Sequence, residues 1–118
     1  MMTIKIKHLR LRAVIGVGPW EREHLQDIIV NVAMDYDGAK AAMSDDIADT
    51  IDYKAVKQRI MDAVEHSSFH LVEKLVQCIL EMIMEDANVQ AATVEVDKPH
   101  ALRFADSVSI SARMVRGR

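Results

Sequence analysis

Near the C-terminus two runs alternate apolar with polar residues on either side of a longer insert, a pattern that leaves the chain few folds to choose from. Ala92, Val94 and Val96 alternate with Thr93, Glu95 and Asp97, while Val108, Ile110, Ala112 and Met114 alternate with Ser107, Ser109, Ser111 and Arg113. A period of two is that of a strand buried on one face. The insert, DKPHALRFAD, holds Lys98, Pro99, His100, Arg103 and Asp106 and is longer than a tight hairpin needs. Lys98 keeps the parity of Val94 and Val96, so its ammonium falls at the end of the apolar face, where desolvation works against its charge. Pro99 biases Lys98 toward an extended backbone and fixes where the side chain leaves the sheet. The plainer alternative is a solvated lysine at a strand end.

The other end of the chain repeats the pattern. In a strand from Thr3 to Val17, Ile4 and Ile6 alternate with Lys5 and Lys7, but Leu9, Leu11 and Ala13 continue the apolar face at odd positions. That change of phase requires one extra residue near Lys7 or His8, the mark of a β-bulge. Gly16-Val17-Gly18-Pro19 ends the strand and opens a loop, GPWEREHLQ, in which Trp20 and Glu21 serve as a lid or as a loop anchor. Asp27 to Tyr36 is the cleanest strand, with Ile28, Val30, Val32, Met34 and Tyr36 on one side. Asp37-Gly38 breaks it, Ala39 to Met43 suit one or two helical turns, and Ser44-Asp45-Asp46 offers helix-start chemistry.

The middle of the chain has helical spacing instead. From Tyr53 to His66, Val56, Ile60, Ala63 and Val64 form an apolar stripe with Asp52 as N-cap, and the Tyr53 hydroxyl faces either a cleft or water. After Ser67-Ser68 a second helix runs from about His70 to Asp86, striped by Val72, Leu75, Val76, Ile79 and Ile83. Glu73 lies beside Val76 and Leu80 at the edge of that stripe. A carboxylate there wants a cationic or N–H-rich partner, or pairs with a nearby lysine as an ordinary flanking acid.

The order ββααββ predicts an α+β domain: one four-stranded antiparallel sheet with two helices covering one face, over residues 1–118 as a single domain. Its two open edges invite pairing with further copies. With 15 basic and 18 acidic residues and a net charge of −3, nothing in the balance argues for nucleic acid. Cys78, the only cysteine, reads as a reduced core residue of a cytoplasmic protein, and no signal peptide or membrane span is visible. One Trp, two Tyr and two Phe stand against eight Met, so the core is largely aliphatic and Met82 and Met84 act as gap-fillers.

Several chemistries find no residues to carry them. Of the five histidines only His66 and His70 share i, i+4 spacing, and they straddle the Ser67-Ser68 break with no glutamate between them, so no metal site is expected. Gly16-Val17-Gly18 leads into Pro19 and a loop, not into the helix that a phosphate loop requires, and no serine elbow is present. Acid, base and hydroxyl candidates remain: Glu21, Tyr53, Glu73 and Lys98.

Those four lie in segments that carry a family resemblance. IGVGPWERE, SDDIADTIDY, FHLVEKL and VDKPHALRFADSVSI, in this order and covering nearly the whole chain, resemble the dihydroneopterin aldolase family. The resemblance implies the tunnelling fold, whose subunits join sheets edge to edge in rings of four, as a homotetramer or homooctamer with active sites between subunits. It implies that Glu73 anchors the pterin's 2-amino group and ring N–H, where two donors meet two acceptor oxygens. Leu71 and Val72 beside it would bind substrate as well. It further implies that Lys98 is the catalytic lysine, that Tyr53 works beside it across the subunit boundary, and that Glu21 lies near the hydroxylated side chain of the substrate. No cofactor is implied, because the dihydropterin ring's own C=N bond accepts the electrons released on C–C cleavage.

The resemblance divides after Lys98-Pro99. HALRFADSVSI is similar to the branch acting as dihydroneopterin triphosphate epimerase, whereas Trp20-Glu21 is similar to the aldolase branch, which is the reading placed first. Arg22, His100 and Arg103 are the basic residues that could meet a triphosphate. A ring that binds a pterin or purine without turning it over is the alternative from another class, and the presence of Tyr53 and Lys98 speaks against it.

Overall fold

The computed structural model describes residues 1–117. Strand β1 (Met2–Ala13) and strand β2 (Gln26–Tyr36) form an antiparallel pair, with helix α1 (Pro19–Glu23) in their connection. Helix α2 (Ala39–Ser44) and a 3₁₀ turn (Ile47–Asp49) lead to helices α3 (Tyr53–Glu65) and α4 (Val72–Ile83), which are followed by strands β3 (Ala91–Pro99) and β4 (Ser107–Val115). The sheet is antiparallel throughout in the order β1-β2-β3-β4, so β1 and β4 are its edges.

The long elements keep the order ββααββ, but that order is incomplete. The segment expected to be only a loop contains α1, because Pro19 suits the first helical position and Glu21 reaches back to the Gly18 N–H at 3.2 Å. A five-residue helix is too short to show a helical period. The turns expected over Ala39 to Met43 form as α2, and Asp46 caps the 3₁₀ turn by accepting from the Ala48 N–H at 2.9 Å. The first strand stops at Ala13, short of the expected Val17, and α4 is shorter at both ends than His70 to Asp86, since Leu71 is already extended. The β3–β4 ladder runs further than expected, to Lys98 opposite Val108 and Pro99 opposite Ser107. Lys98 therefore lies inside the ladder, and only residues 100–106 form the loop.

The phase change in β1 is a bulge. Ile6 pairs with Val32 and Leu9 with Val30, so Lys7 and His8 together face Asn31. His8 takes the left-handed conformation (φ 55°), and its N–H donates to Asn31 Oδ1 at 2.8 Å. After this extra residue Leu11 and Ala13 return to the buried face.

Both long helices lie on that face, α3 against β1 and α4 against β3 and β4. Asp52 caps α3 by accepting from the N–H groups of Lys54 (3.1 Å) and Ala55 (3.2 Å). Val30, Val94 and Val96 of the sheet meet Ile60, Val64 and Ile79 of the helices with no exposure, and among the described residues no polar or charged one is buried. Met82 and Met84 pack at the edge of this core. Cys78 does not belong to the core as expected: it is half-buried, in a groove where α3 and α4 meet. The opposite sheet face is polar, and there Asp35 accepts from Thr3 (2.8 Å) and Arg113 (3.0 Å) while Arg113 also reaches Thr93 (3.2 Å), tying all four strands together. Among the described residues no helix is long and apolar enough to cross a membrane.

Candidate active site

Glu21 and Lys98 are 77 residues apart in sequence, yet Lys98 Nζ donates to Glu21 Oε2 at 2.5 Å. The β3–β4 ladder delivers Lys98 to the end of the sheet, and α1 folds over that end carrying Glu21. The carboxylate is held on every side. Oε2 also accepts from Gln26 Nε2 (3.1 Å), Oε1 accepts from the Gly18 N–H (3.2 Å), and Gln26 is itself fixed to the Ile15 carbonyl (2.6 Å). The Lys98 hydrogen bond first, then those from Gln26 and Gly18, lower the Glu21 carboxyl from 4.5 to about 2 against the opposing pull of partial burial.

Gly16 makes room for this carboxylate. Its φ is +125°, and a Cβ there would lie 2.2 Å from Glu21 Cδ, so a side chain is excluded by conformation and by space. Sequence inspection registers Gly16 only as a strand breaker.

Lys98 and Glu21 line a cleft of about 240 Å³ together with Leu71, Val72 and Glu73 at the start of α4. Glu73 stands in the first turn of α4, where the exposed N–H groups favour a negative charge. Leu71, the N-cap residue, offers no side-chain acceptor to those groups. Glu73 is exposed, and among the described residues it has no ion-pair or side-chain hydrogen-bond partner, so its oxygens are open to the cleft and to solvent. The cleft has further walls that sequence inspection did not single out: Gly16, Val17, His70, Ala101, Val108 and Ile110. Val108 and Ile110 were visible as strand residues, but only the pairing of Lys98 with Val108 shows which cleft they face.

Tyr53 is not brought to this cleft within the chain. It is the first residue of α3, 54% exposed, and α3 packs on β1, away from the β3–β4 end. Trp20 is 59% exposed and stacks on His24 of the same segment with centroids 4.2 Å apart, while the His24 ring meets the Trp20 carbonyl at 2.7 Å, so these contacts stay within the segment. His100 lines a neighbouring cleft with Trp20 and Pro99, and Arg103 lies over the ring of Phe104. Arg22 does not face a ligand site: its guanidinium is spent on the carbonyls of Gly16, Ser68 and Phe69. No group of three or more His, Cys, Asp or Glu side chains among the described residues is placed to hold a metal ion.

An ion-paired lysine beside an unpartnered carboxylate, in a cleft at the end of an antiparallel sheet, defines an α+β enzyme equipped for acid–base chemistry. The chain belongs to the dihydroneopterin aldolase family, which it matches over residues 4–113. It is 46% identical over 108 residues to the dihydroneopterin triphosphate 2′-epimerase of Escherichia coli K12, covering 92% of this chain and 90% of that one. To the dihydroneopterin aldolase of the same organism it is 30% identical over 110 residues, 93% of this chain and 90% of that one. The crystal structure of the E. coli dihydroneopterin aldolase in complex with neopterin superposes with a TM-score of 0.92 at 29% identity, over 97% of this chain and 99% of that one.

Proposed function

We propose that this enzyme cleaves the C1′–C2′ bond of 7,8-dihydroneopterin, giving 6-hydroxymethyl-7,8-dihydropterin and glycolaldehyde in pterin and folate biosynthesis. One observation carries the reading: Lys98 Nζ stands 2.5 Å from Glu21 Oε2 in a cleft whose further carboxylate, Glu73, has no partner among the described residues. Glu73 accepts from the 2-amino group and ring N–H of the pterin, with Leu71 and Val72 against the ring. A base removes the 2′-hydroxyl proton, the C1′–C2′ electron pair passes into the ring C=N bond, glycolaldehyde leaves, and protonation of the enamine at C1′ completes the reaction. Lys98 is the proton carrier, with Glu21 holding it in place and Tyr53 of a neighbouring copy completing the set. Because the ring takes up the electrons, the step asks for no metal ion and no Schiff base. The sheet edges β1 and β4 pair with other copies in a tetramer or octamer of the tunnelling-fold type, which is how a Tyr53 remote from its own cleft reaches another.

A second reading is favoured by the identity of 46% to a triphosphate 2′-epimerase against 30% to an aldolase. In it the same cleavage is followed by re-addition of the retained aldehyde through its other face, which inverts C2′. His100 and Arg103 remain to meet a triphosphate, since Arg22 is engaged elsewhere. Incubation of the purified protein with dihydroneopterin and, separately, with its triphosphate, followed by chromatography, separates the two. Glycolaldehyde and hydroxymethyl-dihydropterin from the first substrate support the aldolase, a C2′ epimer from the second supports the epimerase, and no conversion of either removes both.

A further inference from the structure

The two walls of the cleft come from segments far apart in sequence, and one side chain joins them. Arg22 Nη1 donates to the carbonyls of Gly16 (3.0 Å) and Phe69 (3.1 Å), and Nη2 donates to that of Ser68 (2.6 Å). The Gly16 N–H adds a bond to the Phe69 carbonyl at 3.2 Å. On one side of this clamp is α1 with Glu21 and, through Glu21, Lys98. On the other is the strand-like lead into α4, where Leu71, Val72 and Glu73 line the cleft. α1 has five residues and none of them is buried, so it has neither the length nor the apolar contact to hold its own position. Three carbonyls on two segments call for a planar fork of donors, which a guanidinium supplies and an ammonium does not.

We infer that Arg22 is a positioning residue that sets the distance between the Glu21–Lys98 pair and the Glu73 end of the cleft, touching neither the pterin nor the bond that breaks. This rests on the retro-aldol reading above. With the clamp gone the ring still binds, because Leu71 and Glu73 stay on α4 and its N-cap. The acid–base pair, however, is no longer held over the side chain of the substrate, and a displacement on the order of 1 Å at reacting atoms costs about 10²-fold in rate.

The test compares wild type, Arg22→Ala and Arg22→Lys in kcat and KM for 7,8-dihydroneopterin, in affinity for 6-hydroxymethylpterin as a ring-only probe, and in the titration midpoint of Glu21 followed by carbon-13 NMR. Arg22→Ala is expected to lose roughly 10–100-fold in kcat while ring affinity changes by less than about threefold, with part of the kcat restored by added guanidinium. The Glu21 midpoint should rise toward its ordinary 4.5 as the pair loosens. Should Arg22→Ala fail to fold, Arg22→Lys decides the matter, with a kcat loss of at least about fivefold at unchanged ring affinity. The inference is overturned by a wild-type kcat in the folded variants, by ring affinity falling in proportion to kcat, or by an unmoved Glu21 midpoint. A wild-type protein that neither releases glycolaldehyde from 7,8-dihydroneopterin nor inverts C2′ of its triphosphate defeats the retro-aldol reading instead, and the Glu21 midpoint then still decides the role of Arg22.

Discussion

Glu73 and Glu21 are both carboxylates at helix starts, and their surroundings give them different work. Glu73 is exposed and has no partner among the described residues, so replacing one acceptor oxygen by a donor should be felt by a ligand and hardly by the fold. Glu73→Gln is expected to weaken pterin binding by about 2–4 kcal/mol, since an amide N–H then faces the donors of the ring. Calorimetry checks this, and unchanged affinity would remove Glu73 from the binding role. Glu21 is bound to Lys98, Gln26 and Gly18, and its folded-state value of about 2 lies below the ordinary 4.5. That shift stabilises the fold fully above pH 4.5, and the contribution is lost as pH falls toward 2. Urea unfolding of wild type and Glu21→Gln should therefore converge as pH is lowered through this window, whereas a constant gap would contradict the pairing. Glu21, Glu73 and Lys98 could be singled out as candidates from their segments, and the three line one cleft. What was not legible is the contact between Glu21 and Lys98, which depends on the small helix α1 and on the missing Cβ of Gly16. Arg22 looked like a phosphate contact because an arginine in a loop gives no sign of the carbonyls it will meet.

At the level of elements, period and parity carried most of the information. The bulge at Lys7 and His8, the buried face of β2 and the stripes of α3 and α4 each follow from spacing alone. Periodicity cannot show a five-residue helix, nor that a ladder runs as far as Pro99, and both features shape the cleft. α4 matters most here, because it both covers β3 and β4 and presents Glu73. Ile79 of α4 is fully buried, and Ile79→Ala is expected to cost about 2–5 kcal/mol of folding stability. Denaturant titration measures the loss, and a cost under about 1 kcal/mol would mean that α4 is not packed as described.

The whole molecule is elongated, 52 × 26 × 24 Å, with one sheet face covered by helices and β1 and β4 as the outer strands of the sheet. A long sheet with open edges is stabilised by pairing with further copies. Light scattering at micromolar concentration should report a tetramer or octamer, and a fully active monomer would contradict a site shared between subunits. The edges were legible in the order of elements. A site shared between subunits came into view only through the family resemblance; spacing places Tyr53 at the start of α3 but cannot show that α3 packs on β1, away from the cleft of its own chain. The most direct measurement is the rate of glycolaldehyde release from saturating 7,8-dihydroneopterin by wild type and Lys98→Ala, with pterin affinity determined on the same samples. If Lys98 carries the proton in carbon–carbon cleavage, kcat falls by roughly 10²–10⁴ while Glu73 keeps the pterin bound. Normal turnover in Lys98→Ala would return Lys98 to an ordinary strand residue and contradict the proposed chemistry.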